Sequence, residues 1–185
     1  ANEASVANHT ALALLHANLA SIEAERARLV EAEDEAAAKA AKAARDAATA
    51  HRVEAYKAAT AARSLDPTST AASLAMATYQ ATRGAHSEMQ ADLDAIGNDK
   101  GFKAEGEIVA LSSRVHAALA EGNELAPLLE ATRKARSAHA SDERVRYLLV
   151  ALLVEKAANT KGSKKKKQAW SDAEQELQRA LLVHA

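Results

Sequence analysis

Glu31-Ala-Glu-Asp-Glu-Ala-Ala-Ala-Lys-Ala-Ala-Lys42 is the stretch on which the fold turns. Alanine, glutamate and lysine are strong helix formers, so propensity predicts helix straight through it. The surroundings offer no obvious stop, because the first 66 residues contain neither glycine nor proline. One helix over 3–64 is therefore expected, about 90 Å long at ~1.5 Å per residue. Pairs such as Glu35/Lys39 and Lys42/Asp46, four apart, add a few tenths of a kcal/mol each.

Larger apolar residues lie on either side of this stretch. Val6, Leu12, Leu15, Leu19, Ile22 and Leu29 recur at three- and four-residue spacing, which predicts one buried stripe. Val53, Tyr56 and Leu65 resume bulk further on. Between them alanine is the main apolar residue, and Ala36, Ala40, Ala43 and Ala47 are expected on the face of closest helix approach.

Ser64-Leu65-Asp66-Pro67-Thr68 is the first break, with Asp66 or Thr68 placed to cap the next helix. A second helix is predicted over 68–96, anchored by Leu74, Tyr79, Met89, Leu93 and Ile96, with Gly84 marking a bend or close contact. Gly97 to Gly101 reads as a turn. A third helix over 104–120 is expected to bury Ile108, Leu111, Val115 and Leu119. The fourth, over 124–158, carries Pro127 in its first turn and a break or kink at Ser141-Asp142. The last is predicted over 165–183. The fold class is thus all-α: an elongated bundle of about five helices with one very long N-terminal helix, forming a single domain over 1–185.

Composition narrows the function. Alanine supplies 50 of 185 residues and aromatics only 3%, so most of the apolar content is methyl groups, and thin layers of close helices fit better than a wide core. With 24 basic and 25 acidic side chains, the chain has no global attraction for nucleic acid. Absence of cysteine excludes disulfides, thiol catalysis and zinc–thiolate sites. The longest apolar run, from Tyr147 to Val154, is too short to span a bilayer. No glycine-rich phosphate loop occurs, and no two of the seven histidines stand four apart as helical metal ligands do. The chain is expected to be no enzyme, with no cofactor and no metal.

Two local features carry chemistry. Lys164-Lys165-Lys166-Lys167, with Trp170 one turn later, is able to meet phosphates or acidic headgroups; a solvated helix start with Trp170 turned inward is the favoured expectation. Asn8-His9-Thr10 is an N-glycosylation sequon, which makes Asn8 the candidate acceptor.

The alanine- and glutamate-rich segment from Glu31 to Lys42 and the break at Asp66-Pro67, in a cysteine-free chain, resemble the glutamic acid/alanine-rich surface protein of insect-stage African trypanosomes. That family is related in architecture to the helical variant surface glycoproteins and the haptoglobin–haemoglobin receptor. The resemblance implies a non-catalytic coat protein, an elongated rod on the outer face of the plasma membrane. It also implies a C-terminal glycolipid (GPI) anchor beyond this chain and neighbouring coat proteins as partners; no nucleic-acid partner is expected from the balanced charge. A receptor for a host or vector ligand on the same scaffold is one alternative. The other is a cytosolic interaction scaffold. Residues 138–185 have spacing similar to a tetratricopeptide unit, and Asp66-Pro67 followed by Ala75 and Tyr79 hints at a second. A 34-residue period does not extend through the first helix.

Overall fold

A computed structural model describes residues 3–30, 34–97, 99–122 and 125–181. Among them lie eight helices and no strand: α1 (Glu3–Leu29), α2 (Glu35–Leu65), α3 (Thr70–Thr82), α4 (His86–Ile96), α5 (Lys103–Glu121), α6 (Ala126–Ala138), α7 (Glu143–Asn159) and α8 (Ser163–Leu181). The chain divides into two compact units, 1–109 and 110–185.

The all-α expectation holds, but the five-helix count and the very long first helix do not. The predicted 3–64 helix is two helices of 27 and 31 residues. Asp34 ends the continuity. It sits in extended backbone as the N-cap of α2, and its Oδ1 accepts the Ala37 N–H at 2.7 Å. Charge agrees with the break: Arg26 and Arg28 occupy the last turn of α1, and Glu35 the first turn of α2. Cations at a helix C-terminus and anions at an N-terminus are each favoured by the macrodipole.

Folding back is favoured because it buries alanine. His16 of α1 faces His51 of α2, and Ala13 and Ala17 share a cluster with Ala55, Ala58 and Ala59, so the helices run antiparallel. The buried face of α1 is Ala13, Ala17, Ala20 and Ala27, alongside Val6. This overturns most of the apolar-stripe expectation: Leu12, Leu15 and Ile22 are 46%, 52% and 60% exposed, and Leu19 is half-buried. The side chain of Leu29 lies outside the described residues. On α2 the buried alanines are Ala41, Ala44, Ala48, Ala55, Ala58, Ala59 and Ala62. Ala36, Ala40 and Ala43 are exposed and Ala47 half-buried, so the predicted contact face is corrected by about one position. Methyl side chains let two backbones approach more closely than leucines would, and each close contact is a small dispersion gain repeated along the hairpin.

The break at Asp66-Pro67 is where the sequence places it. Asp66 caps a tight turn, accepting from the Thr68 N–H at 3.0 Å and the Thr68 hydroxyl at 2.8 Å. The hydroxyl contact in particular holds its carboxyl below the usual range. The cap of α3 itself is Ser69, whose hydroxyl accepts from Ala72 N–H. α3 lays Ala75, Met76 and Tyr79 onto the hairpin.

The predicted 68–96 helix divides at Gly84, which adopts φ +68. A Cβ there would meet nothing within 4 Å, so the backbone conformation and not crowding calls for glycine. α3 and α4 then share Leu74, Ala77, Met89 and Ile96 with Val109 of α5.

In residues 110–185, Leu111, Val115, Ala118 and Leu119 meet Leu128 and Leu129 of α6 and Leu148, Leu149, Leu152 and Leu153 of α7. The predicted 124–158 helix is α6 and α7, divided at Ser141-Asp142. Asp142 caps α7, accepting from the Arg144 N–H at 2.9 Å. The Arg144 side chain bonds the same carboxylate and holds it below the ordinary range. α8 packs on α7, with Ala173 in the same leucine cluster, and its buried Glu176 pairs with Arg136 of α6 at 2.7 Å. The expected end of this helix at Val183 lies outside the described residues.

Candidate functional site

Along α2, Thr49, Arg52, Val53, Tyr56, Thr60 and Arg63 recur every three or four residues and so share one helix face. α3 sets Met76, Tyr79, Gln80, Thr82 and Arg83 opposite them. Between the helices run two adjoining hollows of about 430 Å³ each, with Tyr56 lining both.

Two tyrosines form the floor. Tyr79 is buried and Tyr56 half-exposed, with ring centroids 5.3 Å apart and planes inclined at 40°. This tilted contact lies within the spacing that aromatic pairs favour. Arg83 lies over Tyr79, its Cζ 5.6 Å from the ring centroid, and donates to the phenol oxygen at 3.2 Å. The ring therefore presents that guanidinium at the rim.

Three arginines line the groove, and one of them is neutralised: Arg63 pairs with Asp92 of α4. Two polar atoms are buried without a hydrogen-bond partner, Arg52 Nε and Gln80 Oε1. One is a donor and the other an acceptor, and leaving such groups unpaired costs on the order of 1–3 kcal/mol each. Among the described residues, no carboxylate, imidazole or thiol lines either hollow. The lining joins guanidinium groups to aromatic surface, a combination suited to an anionic, partly apolar ligand.

Asn8, the sequon asparagine, is exposed on α1; Thr10 is buried, its hydroxyl without a hydrogen-bond partner. Lys164 to Lys167 are exposed at the start of α8. Trp170 is 43% exposed, which corrects the expectation that it turns inward. No group of three or more metal-ligating side chains gathers among the described residues. Sequence reading missed the tyrosine groove, although the Thr-Arg-Tyr-Thr-Arg face of α2 is visible as a polar stripe. It also missed the approach of His16 to His51, which belong to different helices.

Neither a family model nor any curated protein or solved structure matches the chain. The fold defines a class: an all-α protein whose N-terminal unit is built from helical hairpins.

Proposed function

We propose that the chain is a non-catalytic helical-hairpin scaffold that holds an extended, acidic segment of a partner protein between α2 and α3. The observation that carries this reading is the tyrosine-floored groove with its arginine rim. From Thr49 to Arg63 the α2 wall is about 21 Å long, enough for about six extended residues. The exposed guanidinium of Arg83 and the half-buried side chain of Arg52 meet carboxylates, and Tyr56 covers an apolar side chain. Hairpins α1–α2 and α3–α4, with α3 resting on both earlier helices, support the tetratricopeptide-like alternative of the sequence reading.

The surface-coat reading draws on a continuous first helix and on a surface poor in bulky apolar groups. The first helix is divided, and Leu12, Leu15, Ile22 and Tyr147 are exposed. That reading is left with composition, the break at Asp66-Pro67 and the exposed Asn8 in its support.

The test is a panel of six- to eight-residue peptides, acidic and basic, each with one aromatic residue, titrated by fluorescence polarisation. Acidic members are expected to bind and to weaken with added salt. Equal binding of acidic and basic peptides, or none by either, overturns the proposal.

A further inference from the structure

Lys164, Lys165, Lys166 and Lys167 open α8, all exposed, and none forms an ion pair among the described residues. The first turn of α8 contains no acidic residue. Four like charges there repel one another and oppose the helix macrodipole, so local stability is spent on the cluster. Trp170, the chain's one tryptophan, is 43% exposed and lies three and four residues beyond Lys167 and Lys166. Leu177, a further two turns along the same side, is 42% exposed.

We propose that this lysine–tryptophan patch docks on an anionic lipid surface. Consecutive residues on a helix point about 100° apart, so the four ammonium groups ring the first turn. A plane approached end-on meets all four, whereas a peptide strand lying along the helix reaches about two. Helical side chains lean towards the N-terminus, so the Trp170 ring lies over the turn that carries Lys166 and Lys167. Indole at the headgroup level beside lysines that snorkel around it is the arrangement interfacial anchors use. Lysine also suits this partner: it acts as a mobile point charge, where a shaped acidic pocket would call for the planar fork of arginine. The patch is separate from the α2–α3 groove, and neither proposal depends on the other.

Because tryptophan occurs once, its emission reports on this site alone. The full chain is mixed with vesicles of phosphatidylcholine, or of phosphatidylcholine with phosphatidylserine, and with poly-glutamate at matched charge. Phosphatidylserine vesicles are expected to shift Trp170 emission to shorter wavelength and to sediment the protein, while neutral vesicles do neither. Changing all four lysines to glutamine is expected to weaken partition on the order of a hundredfold or more. That variant relieves repulsion and keeps the helix, which circular dichroism checks. No shift with phosphatidylserine overturns the proposal, as does undiminished binding by the variant. A shift with poly-glutamate as large as with vesicles overturns the assignment to lipid.

Discussion

His16 and His51 meet across the α1–α2 hairpin with their Nδ1 atoms 3.1 Å apart and ring centroids 5.3 Å apart. At that distance one ring donates and the other accepts, the roles following the tautomers. The pair marks the register in which alanines meet. Ala13 and Ala17 on one helix and Ala55, Ala58 and Ala59 on the other lie inside, while Leu12 and Leu15 of α1 lie outside.

That register has a direct mutational signature. Leucine at Ala17 or Ala55, both fully buried, is expected to overpack and cost on the order of 1–3 kcal/mol in denaturant unfolding. Leucine at the exposed Ala40 or Ala43 is expected to change stability by less than about 0.5 kcal/mol. The reverse ranking would place the contact face where sequence periodicity alone puts it.

Gly84 should be intolerant for a backbone reason. Gly84→Ala is expected to cost roughly 1–2 kcal/mol, because φ +68 is left-handed while the space around a new Cβ is open. A melt unchanged by the substitution would mean that α3 and α4 do not part there.

Asp142 predicts a pH dependence. The Arg144 side chain, helped by backbone N–H groups, depresses its folded-state pKa. Its contribution is therefore complete above the ordinary carboxylate range, roughly pH 4, and is lost as pH falls through the lower folded value. Asp142→Ala should cost about 1 kcal/mol at pH 7 as a lost N-cap. Unfolding curves at pH 7 and at pH 3 should show that penalty shrinking at the lower pH. A penalty equal at both would mean that the carboxylate charge does not matter.

The two groove tyrosines should separate binding from folding. Tyr79→Ala removes a buried ring and is expected to cost about 3 kcal/mol. Tyr56→Ala, at a half-exposed ring, should cost about 1 kcal/mol or less yet lower acidic-peptide affinity at least tenfold. If both variants destabilise equally, Tyr56 is a core residue and the groove is not open.

Much of the fold was legible because proline and glycine act locally. Asp66-Pro67 and the turn around Gly97 lie where the sequence puts them, and the Ile108-Leu111-Val115-Leu119 face of α5 is buried as its spacing predicts. The division near residue 30 was hidden because every residue there tolerates helix. Its signal lay in charge order, arginines closing one helix and acids opening the next, and in an aspartate placed to cap. The inverted face of α1 was hidden for a different reason. Hydrophobic periodicity weighs leucine over alanine, but packing two helices closely rewards the smaller side chain. The groove was least legible of all, since Tyr56 and Tyr79 become neighbours only after Asp66-Pro67 folds α3 back.

The most direct test of the scaffold account is a 15N NMR titration of the full chain with an acidic, aromatic-bearing six-residue peptide. The account predicts saturable shifts concentrated at Thr49, Arg52, Tyr56, Gln80 and Arg83, with the Arg52 and Gln80 side-chain N–H signals among the most perturbed. Combined Arg52→Ala and Arg83→Ala should abolish those shifts while leaving the spectrum of residues 110–185 unchanged. Shifts absent from α2 and α3, or reproduced by the charge-reversed peptide, would contradict it.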